Sequence, residues 1–124
     1  MKRKTLFLAV GLLALVGLTV SAQQGGYRGP GVGAITVEEA KNLRDGSSVV
    51  LQGKIERFLG NDKYVFPKYL FSDNSGNITL LIFDRVWGDL SVDQNDIVEI
   101  TGIIHREFTD VEVIVRGIRL IQRS

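Results

Sequence analysis

Cysteine is absent from this 124-residue chain. Because no disulfide can form, a stable fold has to depend on the apolar core alone. A lipoprotein is acylated on a cysteine next to the cleavage site of a signal peptide, so this chain also cannot be a lipoprotein of that kind. A disulfide-free domain of this kind suits a bacterial periplasm.

Histidine occurs once, at position 105. A single histidine without cysteine does not form a typical structural zinc site, and His105 is interpreted as an exposed turn residue or, alternatively, as a pH sensor. The acidic residues between 84 and 112 lack the spacing of the twelve-residue calcium loop. No P-loop or nucleophile-elbow pattern occurs either. We therefore expect no catalytic residues, no metal site and no cofactor.

The N-terminal residues have the three parts of a secretory signal peptide. The basic residues 2–4 precede an apolar run over residues 6–20, and the small residues Ser21 and Ala22 follow it. The run is shorter than the roughly 20 residues that span a bilayer. We predict a signal peptide over residues 1–22 and export to the periplasm, with an uncleaved membrane anchor as the alternative.

Cleavage there would leave residues 23–124, which are enough for one small domain. That part has 12 basic and 14 acidic residues, a formal charge of −2, because three of the 15 Lys and Arg residues lie in the leader. Proteins that hold nucleic acid by its phosphates normally have a basic excess, so we expect no nucleic-acid partner. The glycine-rich residues 23–34 are predicted to form a flexible tether.

A short helix is predicted directly after the tether. Thr36 and Glu39 have the spacing of a capping box, in which each side chain satisfies a backbone N–H at the helix start. Apolar residues follow at helical spacing: Val37, Ala40 and Leu43. The helix should end at about Leu43, with Gly46 free to adopt a left-handed conformation, and should cap or plug a sheet.

From Ser47 onward the hydrophobic period changes to two, which is typical of strands with one wet face. The pattern predicts five strands, over residues 49–56, 69–71, 77–83, 97–104 and 111–120. Gly53 in the first strand permits a bulge or a bend. Five short strands in about 75 residues favour a closed or partly open barrel, since a small open sheet would leave edges exposed.

A local repeat lies between the first two strands. Residues 63–66 (KYVF) are echoed by residues 68–71 (KYLF), with Pro67 between them. Proline cannot donate to a ladder, so we expect the second copy to carry the paired strand and the first to be a loop or an edge. The two aromatic residues of the first copy are either a hydrophobic clip or part of a binding surface.

Several segments, in this order and spacing, resemble the bacterial OB-fold (BOF) family of the YgiW/YdeI type: TVEEAKNLRDGSSVVLQGKIERFLG, KYLFSDNSGNI, NDIVEITG and VEVIV. The resemblance covers almost all of residues 35–121. It implies an all-β fold, a five-stranded OB-fold barrel with a short N-terminal helix over residues 35–124. It also implies a periplasmic location and a non-enzymatic role in tolerance of envelope stress.

The chain departs from that family at four positions. Leu81, Phe83 and Ile114 stand where family members tend to carry acidic residues, and His105 lies near another such position. The acidic pocket for small cations that the family suggests is therefore poorly matched by the residues of this chain. Both faces of the third strand are apolar. The second face is either covered or exposed as a patch for a partner. The N-terminal helix or the aromatic first copy of the repeat would cover it.

The candidate ligand-binding residues lie on or beside the second and third strands: Tyr69, Phe71, Asp73, Leu81, Phe83, Asp84, Arg85 and Trp87. An aromatic residue at a barrel rim, such as Trp87, can stack on a sugar, a base or a cation, or can simply plug the barrel end. The acidic residues between 84 and 112 repel phosphates, and form either a site for cationic ligands or a solvated rim.

The leading hypothesis is a non-catalytic periplasmic binding module that contributes to envelope and stress tolerance. Its partner would be an envelope component: a glycan, a cationic small molecule or an envelope protein. The first alternative is binding of single-stranded nucleic acid, which many OB-fold barrels perform. The second is a structural partner that adds an apolar strand face to another envelope protein.

Overall fold

The computed structural model describes residues 33–124. The predicted signal peptide and all but the last two residues of the predicted tether lie outside these described residues. The elements, in chain order, are α1 (Val37–Ala40), β1 (Ser48–Asn61), β2 (Pro67–Asp73), β3 (Gly76–Leu81), α2 (Asp84–Trp87), β4 (Ile97–Glu107) and β5 (Asp110–Gln122).

The five strands close into one barrel in the order β1-β2-β3-β5-β4, with β4 returning to β1. All neighbouring strands are antiparallel except β3 and β5, which run parallel over a short stretch that includes Leu80↔Val113. Closure removes most of the open edges that a five-stranded sheet would expose. The predicted all-β class, a five-stranded barrel with a short N-terminal helix, is confirmed.

The barrel core is made of inward-facing aliphatic side chains from every strand and one aromatic ring. Leu51, Phe71, Leu80, Ile100 and Val113 are completely buried. These five come from β1, β2, β3, β4 and β5 in that order, so each strand contributes one face to the core. One-sided burial of this kind agrees with the alternation that predicted the strands, but Phe71, predicted as a ligand contact, lies in the core instead.

The capping box at the start of α1 is present as predicted. The Glu39 N–H donates to Thr36 Oγ1 at 3.1 Å, and the Thr36 N–H donates to Glu39 Oε1 at 2.9 Å. Val37 and Ala40 are completely buried in the barrel core, so the helix covers that core. Its regular part ends at Ala40, before the predicted Leu43, although a hydrogen bond from Leu43 N to Ala40 O continues the turn.

Two strand predictions needed correction. β3 ends at Leu81, not at Phe83, because Phe83 is the N-cap of α2. Four helical residues are too few to produce a helical hydrophobic period, so the sequence pattern did not reveal α2. β1 continues to Asn61, well beyond residue 56, and its register against β2 shifts twice between Ile55 and Gly60.

Of the two predicted roles of Gly53, a bulge or a bend, the bulge does not occur at this residue. Its pairing with Val98 is regular, and the register shifts of β1 lie further along the strand. A Cβ atom at Gly53 would lie 2.2 Å from the carbonyl oxygen of Ser72. Glycine therefore permits a close backbone approach at this point of the barrel.

None of the helices within residues 33–124 has the length and apolar character needed to cross a membrane.

Candidate functional site

A groove of about 600 Å³ lies between the β1–β2 loop (residues 62–66) and the turn that joins β4 to β5 (residues 108–109). We call it the loop groove. Its lining residues come from both connections and from the outer surface of the barrel: Asp62, Lys63, Tyr64, Phe66, Lys68, Leu81, His105, Glu107, Phe108, Asp110, Glu112 and Ile114. The volume lies within the range of small-molecule sites, roughly 300–1,000 Å³.

The β1–β2 loop is closed by the carboxylate of Asp62. Asp62 Oδ1 accepts hydrogen bonds from the N–H groups of Tyr64 (2.8 Å) and Phe66 (3.0 Å). These backbone hydrogen bonds, the Phe66 bond foremost, hold the pKa of Asp62 below its ordinary value. Val65, at the tip, has a positive φ of 67°, which is unusual for a β-branched residue. The prediction that residues 63–66 leave the strand is confirmed, and the loop has a defined conformation.

Lys68 connects this loop to the barrel. Its ammonium group lies 3.5 Å from Asp62 Oδ2 and also forms an ion pair with Glu112 of β5. Burial alone would lower the pKa of Lys68, but the pairs with Glu112 and Asp62 outweigh it and raise the pKa above its ordinary value. The lysine therefore stays charged, and one side of the loop groove is tied together across β2 and β5.

Aromatic rings form a row along the loop. The ring centroids of Tyr64 and Phe66 are 6.1 Å apart, and Phe66 meets Phe83 edge-on at 5.4 Å. Lys63 Nζ lies 5.1 Å from the Tyr64 ring centroid, and the Arg85 guanidinium lies 5.5 Å from that of Phe83. Phe66 packs on Phe83, as the hydrophobic-clip alternative for residues 63–66 predicts. The Tyr64 ring remains largely exposed.

The opposite wall of the loop groove carries an unusual turn. Glu107 pairs with Asp110, which leaves Phe108 and Thr109 as a two-residue connection. Phe108 has a positive φ of 57° and is 98% exposed. Two-residue hairpins with a positive φ at the first position favour glycine there. A phenylalanine therefore occupies a strained position without being buried by the fold.

Charges surround an apolar floor. Leu81 and Ile114 lie between four carboxylates and two ammonium groups. His105 is not the predicted exposed turn residue, because it lies half-buried in β4. It faces two carboxylates: its Nδ1 lies 3.7 Å from Asp45 Oδ1, and its Nε2 lies 3.7 Å from Glu107 Oε1. The lining thus combines exposed aromatic rings with a negative balance of charge.

The predicted ligand-binding residues do not share one face. Leu81 lies on the floor of the loop groove, and Phe83 packs against its aromatic row. Tyr69 and Trp87 lie in another cleft, of about 410 Å³, where their ring centroids are 5.6 Å apart. Phe58 joins them at 5.1 Å from Tyr69. Trp87 was predicted either to plug the barrel end or to stack on a ligand at the rim. It is half-buried against the core and also lines this cleft.

Two members of the predicted set have to be withdrawn as ligand contacts. Phe71 is completely buried in the barrel core. The Asp73 carboxylate faces the protein, where it accepts hydrogen bonds from the N–H groups of Val37 (2.9 Å) and Ser75 (2.7 Å). Both residues stabilise the fold. Asp84 and Arg85 are exposed on α2, and they line neither the loop groove nor the Tyr69 cleft.

Several groove residues were not predicted from the sequence. Lys68 and Glu112 are 44 positions apart, and no sequence spacing relates them. Phe108 did carry a signal, because a large aromatic residue stands in a turn that is otherwise polar. Three positions that depart from the family pattern, Leu81, His105 and Ile114, also line the loop groove.

Residues 33–124 contain no group of three or more His, Cys, Asp or Glu side chains placed to hold a metal ion.

Sequence comparisons relate the chain to bacterial proteins. The family described as "Bacterial OB fold (BOF) protein" matches residues 17–120. Protein YgiW of Escherichia coli K12 is 38% identical over 126 residues, which cover 90% of this chain and 93% of YgiW. The calcium-regulated OB-fold protein CarO of Pseudomonas aeruginosa is 29% identical over 119 residues, which cover 94% of each chain.

Solved structures agree with the barrel topology. The structure of YgiW from E. coli matches with a TM-score of 0.67, covering 79% of this chain and all of YgiW at 38% identity. A part of asparaginyl-tRNA synthetase from Pyrococcus horikoshii matches with a TM-score of 0.59 at 19% identity, covering 73% of this chain and 23% of the synthetase. At that identity the likeness concerns the fold alone.

Proposed function

Because this chain belongs to the bacterial OB-fold (BOF) family, we propose that it is a non-catalytic binding module. It acts in the periplasm and contributes to envelope and stress tolerance by holding an envelope component. The loop groove is its binding site. Membership in the family supports the binding role, and the leader-like residues 1–22 support the location.

One observation carries the choice of site. The two connections that flank the loop groove each present an exposed apolar residue in a left-handed backbone conformation, Val65 and Phe108. Neither side chain stabilises the core, and both conformations cost free energy. Phe108 is part of the groove lining, and Val65 lies in the loop beside it; strained, exposed apolar residues in the two connections around one groove are typical of a surface that is completed by a ligand.

The charge of the chain disfavours the nucleic-acid alternative. Residues 23–124 have a formal charge of −2, and carboxylates outnumber ammonium groups two to one in the groove lining. A phosphate backbone would be repelled there. OB-fold barrels do bind other ligands with the surface between these two connections, so the fold is compatible with the proposal.

Amide chemical shifts of the isotope-labelled protein, purified from cells that express the full chain, test the site. The probes are a soluble muropeptide, spermidine, a basic peptide and a single-stranded oligonucleotide at low salt. We expect at least one of the first three to shift residues 62–66 and 107–110 together. Shifts confined to the Tyr69 and Trp87 cleft, or no shifts with any of the first three probes, would contradict the groove as the site.

Two variants provide the comparison. Phe108→Ala removes a groove ring that the fold does not bury, so it should weaken binding without lowering the melting temperature. Phe58→Ala removes an exposed ring from the other cleft and should leave groove binding unchanged. Salt-sensitive oligonucleotide binding that is stronger than that of the other probes would favour the nucleic-acid alternative.

The location has its own test. In a bacterial host, the protein in the periplasmic fraction should begin at Gln23, which intact mass and N-terminal sequencing would reveal. A full-length chain in the cytosolic fraction would contradict the periplasmic part of the proposal.

A further inference from the structure

We infer that the ligand of the loop groove is a basic peptide segment in which Lys or Arg residues alternate with aromatic or aliphatic ones. This inference rests on the proposed function and narrows it to one class of partner. The argument uses the charges, the rings and the dimensions of the groove.

The balance of charge in the groove selects a cation. Its lining has four carboxylates, from Asp62, Glu107, Asp110 and Glu112, against the ammonium groups of Lys63 and Lys68. Lys68 is already paired with Asp62 and Glu112. Asp110 has no ion pair within the part of the chain that is described, and Glu107 has only His105 nearby. A ligand with positive charge would find these two carboxylates at the Phe108 wall.

The aromatic rings already attract cations of this chain. Lys63 lies over the Tyr64 ring of the groove lining, and Arg85 lies over the Phe83 ring outside that lining, both with centroid distances under 6 Å. Such geometry is favourable because the face of an aromatic ring is negative. The Lys63 side chain is exposed, so a ligand cation can replace it over Tyr64. The wall formed by the β1–β2 loop thus offers a second cation site opposite the carboxylates.

The apolar floor excludes a small inorganic cation as the preferred ligand. Leu81 and Ile114 form part of that floor, and Phe66 and Phe108 add apolar surface above it. A hydrated ion gains nothing from such surface, whereas an aromatic or aliphatic side chain of a ligand is stabilised by burying its apolar area there. The site therefore matches a chain in which charged and apolar groups alternate, which an extended basic peptide provides.

Three synthetic peptides of equal length separate the contribution of charge from that of the aromatic rings in calorimetric titrations. Acetyl-KWKWK-amide carries charge and rings, acetyl-KSKSK-amide carries charge alone, and acetyl-EWEWE-amide carries rings with the opposite charge. We expect the first peptide to bind at least about tenfold more tightly than either of the others, since a tenfold difference in Kd corresponds to only about 1.4 kcal/mol. Its affinity should fall as salt is raised, because exposed charges are screened.

Charge variants locate the interaction. Asp110→Asn should weaken binding of the KWKWK peptide by roughly fivefold, as expected for the loss of one exposed charge near the ligand. Asp89→Asn makes the same change of net charge in the connection before β4, outside the groove lining, and should have little effect. Lys63→Gln should strengthen binding, because it removes the cation that competes for the Tyr64 ring.

The outcomes distinguish the inference from the proposed function. Equal binding of KWKWK and KSKSK, or a tighter EWEWE complex, would overturn the basic-peptide inference. So would a muropeptide that shifts groove amides when no peptide does, although the loop groove would then remain the binding site. If no probe of either experiment is weakened by Phe108→Ala, the proposed site itself is wrong.

Discussion

The ammonium nitrogen of Lys68 lies 3.5 Å from the carboxylate of Asp62, the residue whose side chain closes the β1–β2 loop. A strand residue therefore positions the loop that forms one wall of the loop groove. Because Lys68 also pairs with Glu112 of β5, the loop is linked to a strand that is its neighbour only in the folded barrel. The shape of the groove depends on this three-residue contact.

Replacement of Lys68 by Met should loosen that loop. Without the ammonium group, Asp62 loses a charged partner, and the Tyr64 and Phe66 amides that it holds should exchange with solvent roughly fivefold faster, as for other partly exposed ion pairs. Hydrogen exchange followed by NMR would measure this. Lys54→Met is the matched control, since Lys54 is also a strand lysine but has no ion pair within residues 33–124. Equal exchange rates in all three proteins would contradict the role of Lys68.

The two phenylalanines Phe71 and Phe108 should differ sharply in their effect on stability. Phe71 is completely buried, whereas Phe108 is 98% exposed. Phe71→Ala should lower the free energy of unfolding by about 3–5 kcal/mol, because it leaves a cavity in the core. Phe108→Ala should change it by less than about 0.5 kcal/mol. Urea unfolding compares the two, and similar losses would contradict the assignment of Phe108 to a ligand surface.

The close contact of β4 with β5 at Gly102 should make any side chain at this position destabilising. A Cβ atom there would lie 2.4 Å from the Ile114 carbonyl oxygen, a backbone atom that cannot rotate away. Gly102→Ala should therefore cost about 1–3 kcal/mol of stability.

Gly117→Ala is the matched control for that substitution. Its Cβ would meet only the Thr101 hydroxyl, at 3.0 Å, and that side chain can change its rotamer. Thermal unfolding followed by circular dichroism should therefore rank Gly102→Ala well below Gly117→Ala. The reverse order would show that the barrel can relax around Gly102.

Acid should weaken the attachment of α1 through Asp73. Burial alone would raise the pKa of Asp73, but hydrogen bonds from Ser75, Val37 and Gly76 together hold the pKa below its ordinary value. A carboxyl group with a lowered folded-state pKa stabilises the fold above its unfolded pKa of about 3.9. That stability should be lost as the pH falls through about 4 and below.

The Asp73→Asn variant isolates this contribution. It should be less stable than the unsubstituted protein at neutral pH, and the difference should shrink between about pH 5 and pH 2 because the amide does not titrate. Melting temperatures across that range would measure the convergence. Asp62 and Asp96, whose pKa values are also lowered, still titrate in both proteins. A constant difference at all pH values would contradict the ionic role of Asp73.

Local sequence signals were reliable wherever a short-range physical rule applies. Thr36 and Glu39 are three residues apart, so their capping box is a property of the helix start itself. Pro67 separated loop from strand because proline lacks an N–H group for the ladder. The alternation of apolar residues predicted five strands and a closed or partly open barrel, since that period places one face of each strand in the core.

The sequence did not reveal which face of a strand each predicted site residue occupies, or which residue lies beside it. Tyr69 and Phe71 were expected to lie on a ligand surface, yet their shared face points inward, and only Tyr69 reaches a cleft. The end of β3 was placed two residues late, so Phe83 was assigned to a strand face although it caps α2.

From its order of residues alone, this chain specified an all-β barrel, because hydrophobic period and turn chemistry act between near neighbours. Only the closed barrel decided which residues line the loop groove. It brings Lys68 beside Glu112 and sets Tyr64 opposite Phe108 across one groove. Such pairs are far apart in the chain, and closure of the sheet is what gives them a common surface.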